Sequence, residues 1–590
     1  MAIAVQQISP IAHVPLVLGV LRRLEVATVM DRLIPPHPAH VLACGRGVEA
    51  LVLAILDGHH ALYKVGTRLE ERGMVPLLQP GLQRTALNDY RLGQILDTLF
   101  AANLNQVFGA VALRALEVYA IPTPWLHQDT TTLTLYGAYE EAPCEGTQGL
   151  QAPAEPIPPR PAYGHSKDGH DDLKQVLLSL GVSSDGLPLR LGVRDGNTSD
   201  STETPVAIEE CLALGLEGVR GIVADSKAYC KRTLGLCLEQ GVGLITLVPR
   251  TCAVRQELEA WGQQQGPLPL LLEKPGRTRQ EPPRRWHGRS VVRRVEVEYA
   301  DGRLAWEDLR FLVVHSSQLA QQAATTYTAA QAKEAERVAE HIQRVEARWF
   351  ACAADAEAAI TDYEGRGQGR RGRRPRLWRY HALHYRVAAV NSPKKWPRRG
   401  RPPKAEVPQV EVRYRLSVSL EALVPSEHAH GWTVLATTLQ PEGCTDTEML
   451  QAYQEQHITV EPGFRWIKNP AAISPVWLEK PERIAALAML TVVGLLVYAV
   501  IQRQVRLYLR DHARHIPGNK GPTAIPTAAV VFALFTSVTL VHYAVANAPI
   551  LHVHGIREDH LIVCEAVGID QAWYQGVAAG QNSLLSTTPP

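Results

Sequence analysis

A chain of 590 residues, 46% hydrophobic and 20% charged, is long enough for several structural units and too apolar to be disordered. Its formal charge of +2 excludes a uniformly basic chain, and its nine cysteines form no C-x-x-C pair, which argues against a zinc or disulfide framework and fits a reducing cytoplasm. No Lys or Arg precedes Arg22, and Pro10 and Pro15 interrupt the start, so no secretory signal is expected there.

Residues 1–120 read as a helical domain. Val48-Glu-Ala-Leu-Val-Leu-Ala-Ile-Leu56 and Leu92-Gly-Gln-Ile-Leu-Asp-Thr-Leu-Phe100 are apolar at helical spacing. Gly45-Arg-Gly-Val-Glu-Ala50 has dinucleotide-fingerprint spacing, but no strand leads into it and no βαβ unit follows, so that reading is rejected. Pro122 and Pro124 punctuate the chain ahead of a strand, Trp125-Leu-His-Gln-Asp-Thr-Thr-Thr-Leu-Thr-Leu135. A polar, Pro-rich loop at 140–162 follows, then Tyr163-Gly-His-Ser-Lys-Asp-Gly-His-Asp-Asp172, which is either a plain polar loop or a contact to DNA or a metal shell. Strands at 174–182 and 187–193 flank the hairpin signal Asp185-Gly186. A helix at 203–214, capped by Ser201 or Thr202, precedes a strand at 219–225, a helix at 231–240 and a strand at 244–248. The order β-β-β-α-β-α-β is that of a ribonuclease-H-like fold, so the expected class is α/β, with a mixed-sheet core over 121–250.

Residues 251–450 read as an inserted, mostly β domain. It holds strands near 290–298, 306–314, 410–420 and 432–439, a polar helix at 319–348 and a basic Pro/Gly-rich loop at 365–404. Residues 451–516 are expected to supply the final helices, and 517–590 a C-terminal tail region. The 18 residues from Ile484 to Ile501 carry no charge, which meets the lower length for a bilayer span. A helix apolar all round also suits the core of a large protein, and that reading is preferred.

Three acids stand out. Aspartate disfavours strand interiors, so Asp129 among strand-forming threonines asks for a reason. Asp225 ends the apolar run Gly221-Ile-Val-Ala-Asp225, and Glu461 opens Glu461-Pro-Gly-Phe-Arg-Trp-Ile-Lys468. In a helix Glu461, Arg465 and Lys468 share one face, so a carboxylate could hold metal while cations hold phosphates. Three converging acids would bind two divalent cations, the apparatus for in-line attack on a phosphodiester. The plainer alternatives are a salt-bridging helix face, an edge-strand aspartate and, for Asp225, a helix cap. Basic residues cluster in the 365–404 loop. Seven arginines lie between Arg366 and Arg379, and Arg398, Arg399 and Arg401 lie between Lys394 and Lys404. Arg399-Gly-Arg-Pro402 has the form of a minor-groove hook, though general phosphate contact is the broader expectation.

The blocks His127-Gln-Asp-Thr-Thr131, Gly164-His-Ser-Lys-Asp168, Asp172-Leu-Lys-Gln175, Val223-Ala-Asp-Ser226 and the stretch from Tyr453 to Pro470 resemble a DDE transposase of bacterial insertion sequences. The chain is most similar to the insertion-sequence-four superfamily, whose ribonuclease-H-like core carries a β-rich insertion before the last acid. The resemblance implies that Asp129, Asp225 and Glu461 are the catalytic, metal-binding triad. It implies two Mg²⁺ ions, replaceable by Mn²⁺, and cleavage of element ends followed by joining of the 3′-hydroxyls to target DNA. Tyr453, Arg465, Lys468 and the loop arginines 398, 399 and 401 are then expected to contact DNA. The N-terminal domain would bind terminal inverted repeats, in a homodimer or larger assembly on DNA, in the bacterial cytoplasm with the nucleoid and with no membrane. The spacing from Glu461 to Lys468 matches the superfamily signature. Tyr453 lies one residue too far from Glu461, Gln456 stands where the signature has Arg, and Pro462 follows the acid. The helix is therefore expected to begin at Pro462, with the extra residue absorbed upstream as a bulge or break. A catalytically inactive DNA-binding relative and a membrane protein built on 484–501 are the alternatives from other classes.

Overall fold

The computed structural model describes residues 3–58, 61–137, 139, 156–167, 169–276, 281–364, 378–393, 410–424, 430–468, 478–545, 548–570 and 572–574. They form two compact units, one of Met1–Arg250, Val291–Phe311 and Leu435–Pro590, the other of Thr251–Ser290 and Leu312–Val434.

The first unit begins with strand β1 (Ile3–Ser9) and helices α1 (Val14–Arg23), α2 (Val26–Leu33), α3 (Cys44–Leu56), α4 (Leu62–Glu71), α5 (Val75–Leu78), α6 (Asp89–Ala101) and α7 (Leu104–Val118). In α3 every residue but Arg46 is buried. It packs against α2 and against the 31-residue helix Pro481–Asp511, which also meets α1, α6 and α7. Two helices apolar all round cover each other, so the N-terminal helices share a core with a helix from far along the chain. The expected separate N-terminal domain at 1–120 is thus part of a larger unit. Gly45 has its reason in this packing: a Cβ there would lie 2.3 Å from the Ala27 carbonyl oxygen on α2.

Pro481–Asp511 is the one continuous helix among the described residues long and apolar enough to cross a bilayer, and 94% of its most apolar window is buried. It serves as a core helix. The expected C-terminal tail is also built in. The strand Thr539–Val545 pairs antiparallel with β1 and with the strand Ala548–His554. The Trp573 indole N–H donates to the Pro15 carbonyl at 2.9 Å, and Arg23 Nη1 donates to the Gly568 carbonyl at 2.9 Å.

The large mixed sheet of this unit is built from β2 (Trp125–Thr134), β3 (Gln175–Ser183), β4 (Pro188–Arg194), β5 (Gly221–Ala224) and β6 (Gly243–Leu247), with helix α8 (Asp200–Ala213) before β5 and α9 (Lys231–Gln240) after it. The order is β4-β3-β2-β5-β6, continued by the parts of the strands Trp432–Thr437, Leu304–Ser316 and Arg284–Glu298 that belong to this unit. β3 runs antiparallel to β2 and β4, whereas β5 runs parallel to β2 and β6. All nine residues of β3 are buried, as expected of a sheet covered on both faces.

The second unit contains the 30-residue helix Ser317–Glu346, the helices Ala253–Gln264 and Ala353–Tyr363, and the long hairpin of His381–Pro393 with Val410–Ala422. A small core of Val345, Phe350, Ala356 and Leu416 holds the long helix, the short helix and the hairpin together. Helices and strands share this unit, so it is mixed α and β and not mostly β. The long polar helix survives because it lays one apolar edge, Val338 and Val345, on its neighbours and leaves the rest in water.

Candidate functional site

Gln128 of β2 stands opposite Ala224 of β5 in parallel register, which makes the next residues, Asp129 and Asp225, neighbours across the two chain segments. Side chains alternate along strands, so both aspartates share a face and Gln128 and Thr130 face the other way. That other face is covered by α8 through a buried polar cluster. Gln128 Nε2 and Arg190 Nη1 both donate to Ser179 Oγ, at 2.9 and 2.6 Å. Arg190 also donates to Glu203 Oε1 at 2.9 Å and Glu210 Oε2 at 2.7 Å, and Arg194 donates to Glu203 Oε2 at 2.8 Å. The helix Asp446–Ile467 packs across β2, β5 and β6, and its buried Gln456 donates to the Gln128 carbonyl at 3.3 Å.

Burial raises the Asp129 carboxyl to about 6. Its own neighbour, the Thr130 N–H at 2.7 Å, and Lys167 oppose the rise, while Asp225 and Asp200 add to it. Asp225 is likewise raised, first by burial and then by Asp200, against the Lys227 N–H and the charges of Lys167 and Lys227. Asp225 also caps a short 3₁₀ turn, Ser226–Ala228, by accepting from the Lys227 N–H at 2.9 Å. The cap alternative is therefore realised, on this turn and not on α9. Both shifts come first from burial, and a buried carboxylate pair of this kind could be held in its charged form by a bound cation.

Three groups flank the pair, Lys167 and His127 from segments that the sequence marks without giving either residue a role, and Asp200, which it does not mark. Lys167 Nζ donates to the Thr130 carbonyl at 2.8 Å and to Thr130 Oγ1 at 2.5 Å, and it pairs with Asp200 Oδ2 at 3.3 Å. Thr130 Oγ1 in turn donates to Asp200 Oδ1 at 2.7 Å. Asp200 opens α8, whose cap is Ser199 and not Ser201 or Thr202; Ser199 Oγ accepts from the Thr202 N–H at 3.2 Å. His127, also fully buried, lies two residues before Asp129 on the same face. Burial lowers its pKa to about 4, so it stays neutral.

Glu461 behaves otherwise than expected. The helix runs unbroken from Asp446 to Ile467, starting from a capping box in which Thr445 and Glu448 satisfy each other's backbone N–H groups. It does not begin at Pro462, and no break absorbs an extra residue between Tyr453 and Glu461. Pro462 lies in the helix interior on its exposed side. Glu461 is exposed and sits five residues past Gln456, about 140° round the helix from it. Among the described residues no group of three or more His, Cys, Asp or Glu side chains is arranged to hold a metal ion. The register brings Asp129 and Asp225 together, and Glu461 lies exposed on the helix that crosses β2, β5 and β6. Tyr453 and Lys468 are half-buried and Arg465 is exposed. Lys468 is the C-cap and Arg465 lies in the last turn, where cations complement the helix dipole. Arg398, Arg399 and Arg401 lie outside the described residues; within the loop expected at 365–404, His381–Pro393 is instead a strand of the long hairpin, and most of the rest lies outside the described residues.

The continuous helix has a direct test. A proline in an exposed helix interior costs about 3 kcal/mol relative to alanine, because it offers no N–H to the carbonyl four residues back. Pro462→Ala should therefore raise stability in thermal unfolding by about 1–3 kcal/mol. A loss of stability would mean that Pro462 starts a helix.

Residues 6–113 match the model of a family described as a domain of unknown function, DUF4277. The match runs from within β1 into α7 and stops before β2, so it does not reach Asp129 or Asp225. No curated protein matches the chain.

Proposed function

We propose that this chain is a DDE-type transposase, a metal-dependent enzyme that cleaves DNA at the ends of an insertion sequence and joins the 3′-hydroxyls to target DNA. The observation that carries the reading is the pairing of Asp129 and Asp225 on one face of adjacent parallel segments, both with raised pKa values. The order β4-β3-β2-β5-β6, with one antiparallel pair on each side of β3, supports a ribonuclease-H-like core. The match of residues 6–113 to DUF4277, a domain found in transposase-like proteins, supports the family.

The residues fit one Mg²⁺ or Mn²⁺: two hard carboxylates suffice for an ion that keeps several waters and takes its other ligands from phosphate. Such an ion, when bound, lowers the pKa of an attacking water or hydroxyl and neutralises charge on the phosphate. Asp129 and Asp225 would hold it, the Thr130 and Lys227 N–H groups orient their carboxylates, and buried Gln456 fixes the helix Asp446–Ile467 against β2. Glu461 is exposed on the helix that crosses β2, β5 and β6, and it belongs to no group of three candidate metal-ligating side chains among the described residues. That same fact favours the second reading, a DNA-binding relative without cleavage.

Nicking of supercoiled plasmid separates them. The unaltered chain should nick in Mg²⁺ or Mn²⁺ and not in EDTA, and Asp225→Asn should lose at least about 10³ of the rate, as expected when an electrostatic anchor of the transition state is removed. Nicking by Glu461→Gln at the unaltered rate would remove Glu461 from the site and leave the two aspartates. A chain that binds DNA and never nicks would establish the inactive relative.

A further inference from the structure

Lys167 stands near the paired aspartates with a long ion pair to Asp200. Its closest acceptors are the carbonyl and hydroxyl of Thr130, at 2.8 and 2.5 Å. Its only ion pair among the described residues, to Asp200 Oδ2, is 3.3 Å long, whereas charge-assisted N–H···O⁻ bonds run at about 2.7–2.9 Å. The Lys167 side chain keeps 31% of its surface exposed and that of Asp200 26%, so the ion pair opens to solvent. The backbone is tied as well. The Lys167 N–H donates to Thr132 Oγ1 at 3.2 Å, and the preceding Ser166 N–H donates to Asp171 Oδ1 at 2.9 Å.

A structural tie between α8 and β2 does not need this charge. Thr130 Oγ1 already donates to Asp200 Oδ1 at 2.7 Å, which joins the two elements without Lys167. What the ammonium adds is a partly exposed cation whose charge acts on both aspartates. A DNA strand approaching two carboxylates meets repulsion, and a cation at that point makes the approach favourable.

We propose that Lys167 is the phosphate-holding residue of this site: a DNA phosphate brought up to Asp129 and Asp225 takes the ammonium from Asp200, and Asp200 is the resting partner that parks it. This rests on the DNA-cleaving reading above. No bond is made or broken in the exchange; one oxygen anion replaces another as acceptor from the same N–H group.

The test is equilibrium binding of a fluorescent duplex of mixed sequence in Ca²⁺, with affinity followed against salt. For the unaltered chain, log K should fall linearly with log salt. Lys167→Met should reduce that slope by about 0.9, the value of one lost phosphate contact, and Lys167→Arg should restore it. Asp200→Asn should bind at least as tightly as the unaltered chain, because it frees the ammonium. If Lys167→Met and Asp200→Asn lower the melting temperature equally and leave the slope unchanged, Lys167 is a structural tie and the proposal is overturned while the DNA reading stands. If the unaltered chain shows no salt-dependent DNA binding, the proposal and the reading fall together.

Discussion

Asp129→Asn is expected to make the chain more stable at pH 7 and to abolish DNA cleavage. An unfolded aspartate releases its proton near 3.8, but Asp129 in the folded chain holds it to about 6. Folding therefore loses stability as pH rises between those values, and the loss is complete above the upper one. The gap corresponds to about 3 kcal/mol, and relaxation of the site makes about 1–3 kcal/mol the expected gain from asparagine. The gain should be present at pH 7 and nearly vanish near pH 4, where the aspartate carries its proton in the fold. Mg²⁺ should stabilise the unaltered chain and not the variant, since a ligand stabilises only what it binds. Urea unfolding at the two pH values, with and without Mg²⁺, reads all of this. Equal stability of the two chains at pH 7 would mean that Asp129 is not held under strain.

The largest loss of stability is expected from Arg190→Met. Arg190 is 4% exposed and Glu203 2%, and the guanidinium links Ser179 on β3 to two glutamates on α8. Burial alone would raise the Glu203 carboxyl, but Arg194 and Arg190 hold it below its ordinary value. Taking one partner from a buried ion pair typically costs about 3–5 kcal/mol, because a charge is left without compensation. The measurement is the urea midpoint at pH 7. A shift below about 1 kcal/mol would show that Arg194 alone satisfies Glu203. Glu203→Gln together with Arg190→Met should recover part of the loss, since both charges then leave the interior.

The sheet was legible in the sequence because its strands are short, apolar and separated by clear turns. Strands expected at 174–182 and 187–193 form as Gln175–Ser183 and Pro188–Arg194, and the helix expected at 231–240 is Lys231–Gln240. α8 starts at Asp200 and not at the expected 203, because Ser199 caps it ahead of Ser201 and Thr202. The helix around Glu461 was misjudged for a clearer reason. Proline suits a helix start, yet a stronger start signal, Thr445-Asp-Thr-Glu448, lay further upstream. The ties that build the site's surroundings join residues far apart in the chain, such as Lys167 with Thr130 and Gln456 with Gln128. No local pattern reports them. The same holds for the shared core of α3 with Pro481–Asp511, which dissolves the boundary drawn at residue 120.

The pairing of β1 with Thr539–Val545 sets a condition on biosynthesis. Ile3 leaves the ribosome 542 residues (545 − 3) ahead of its partner Val545. At roughly 5–20 residues per second, the two emerge between about half a minute and two minutes apart. Throughout that interval the first strand has no neighbour, and an unpaired strand edge invites other chains. A product that stops short of residue 539 never acquires the missing strand, so truncated copies should end up as aggregates or protease substrates, and only chains translated past that point persist.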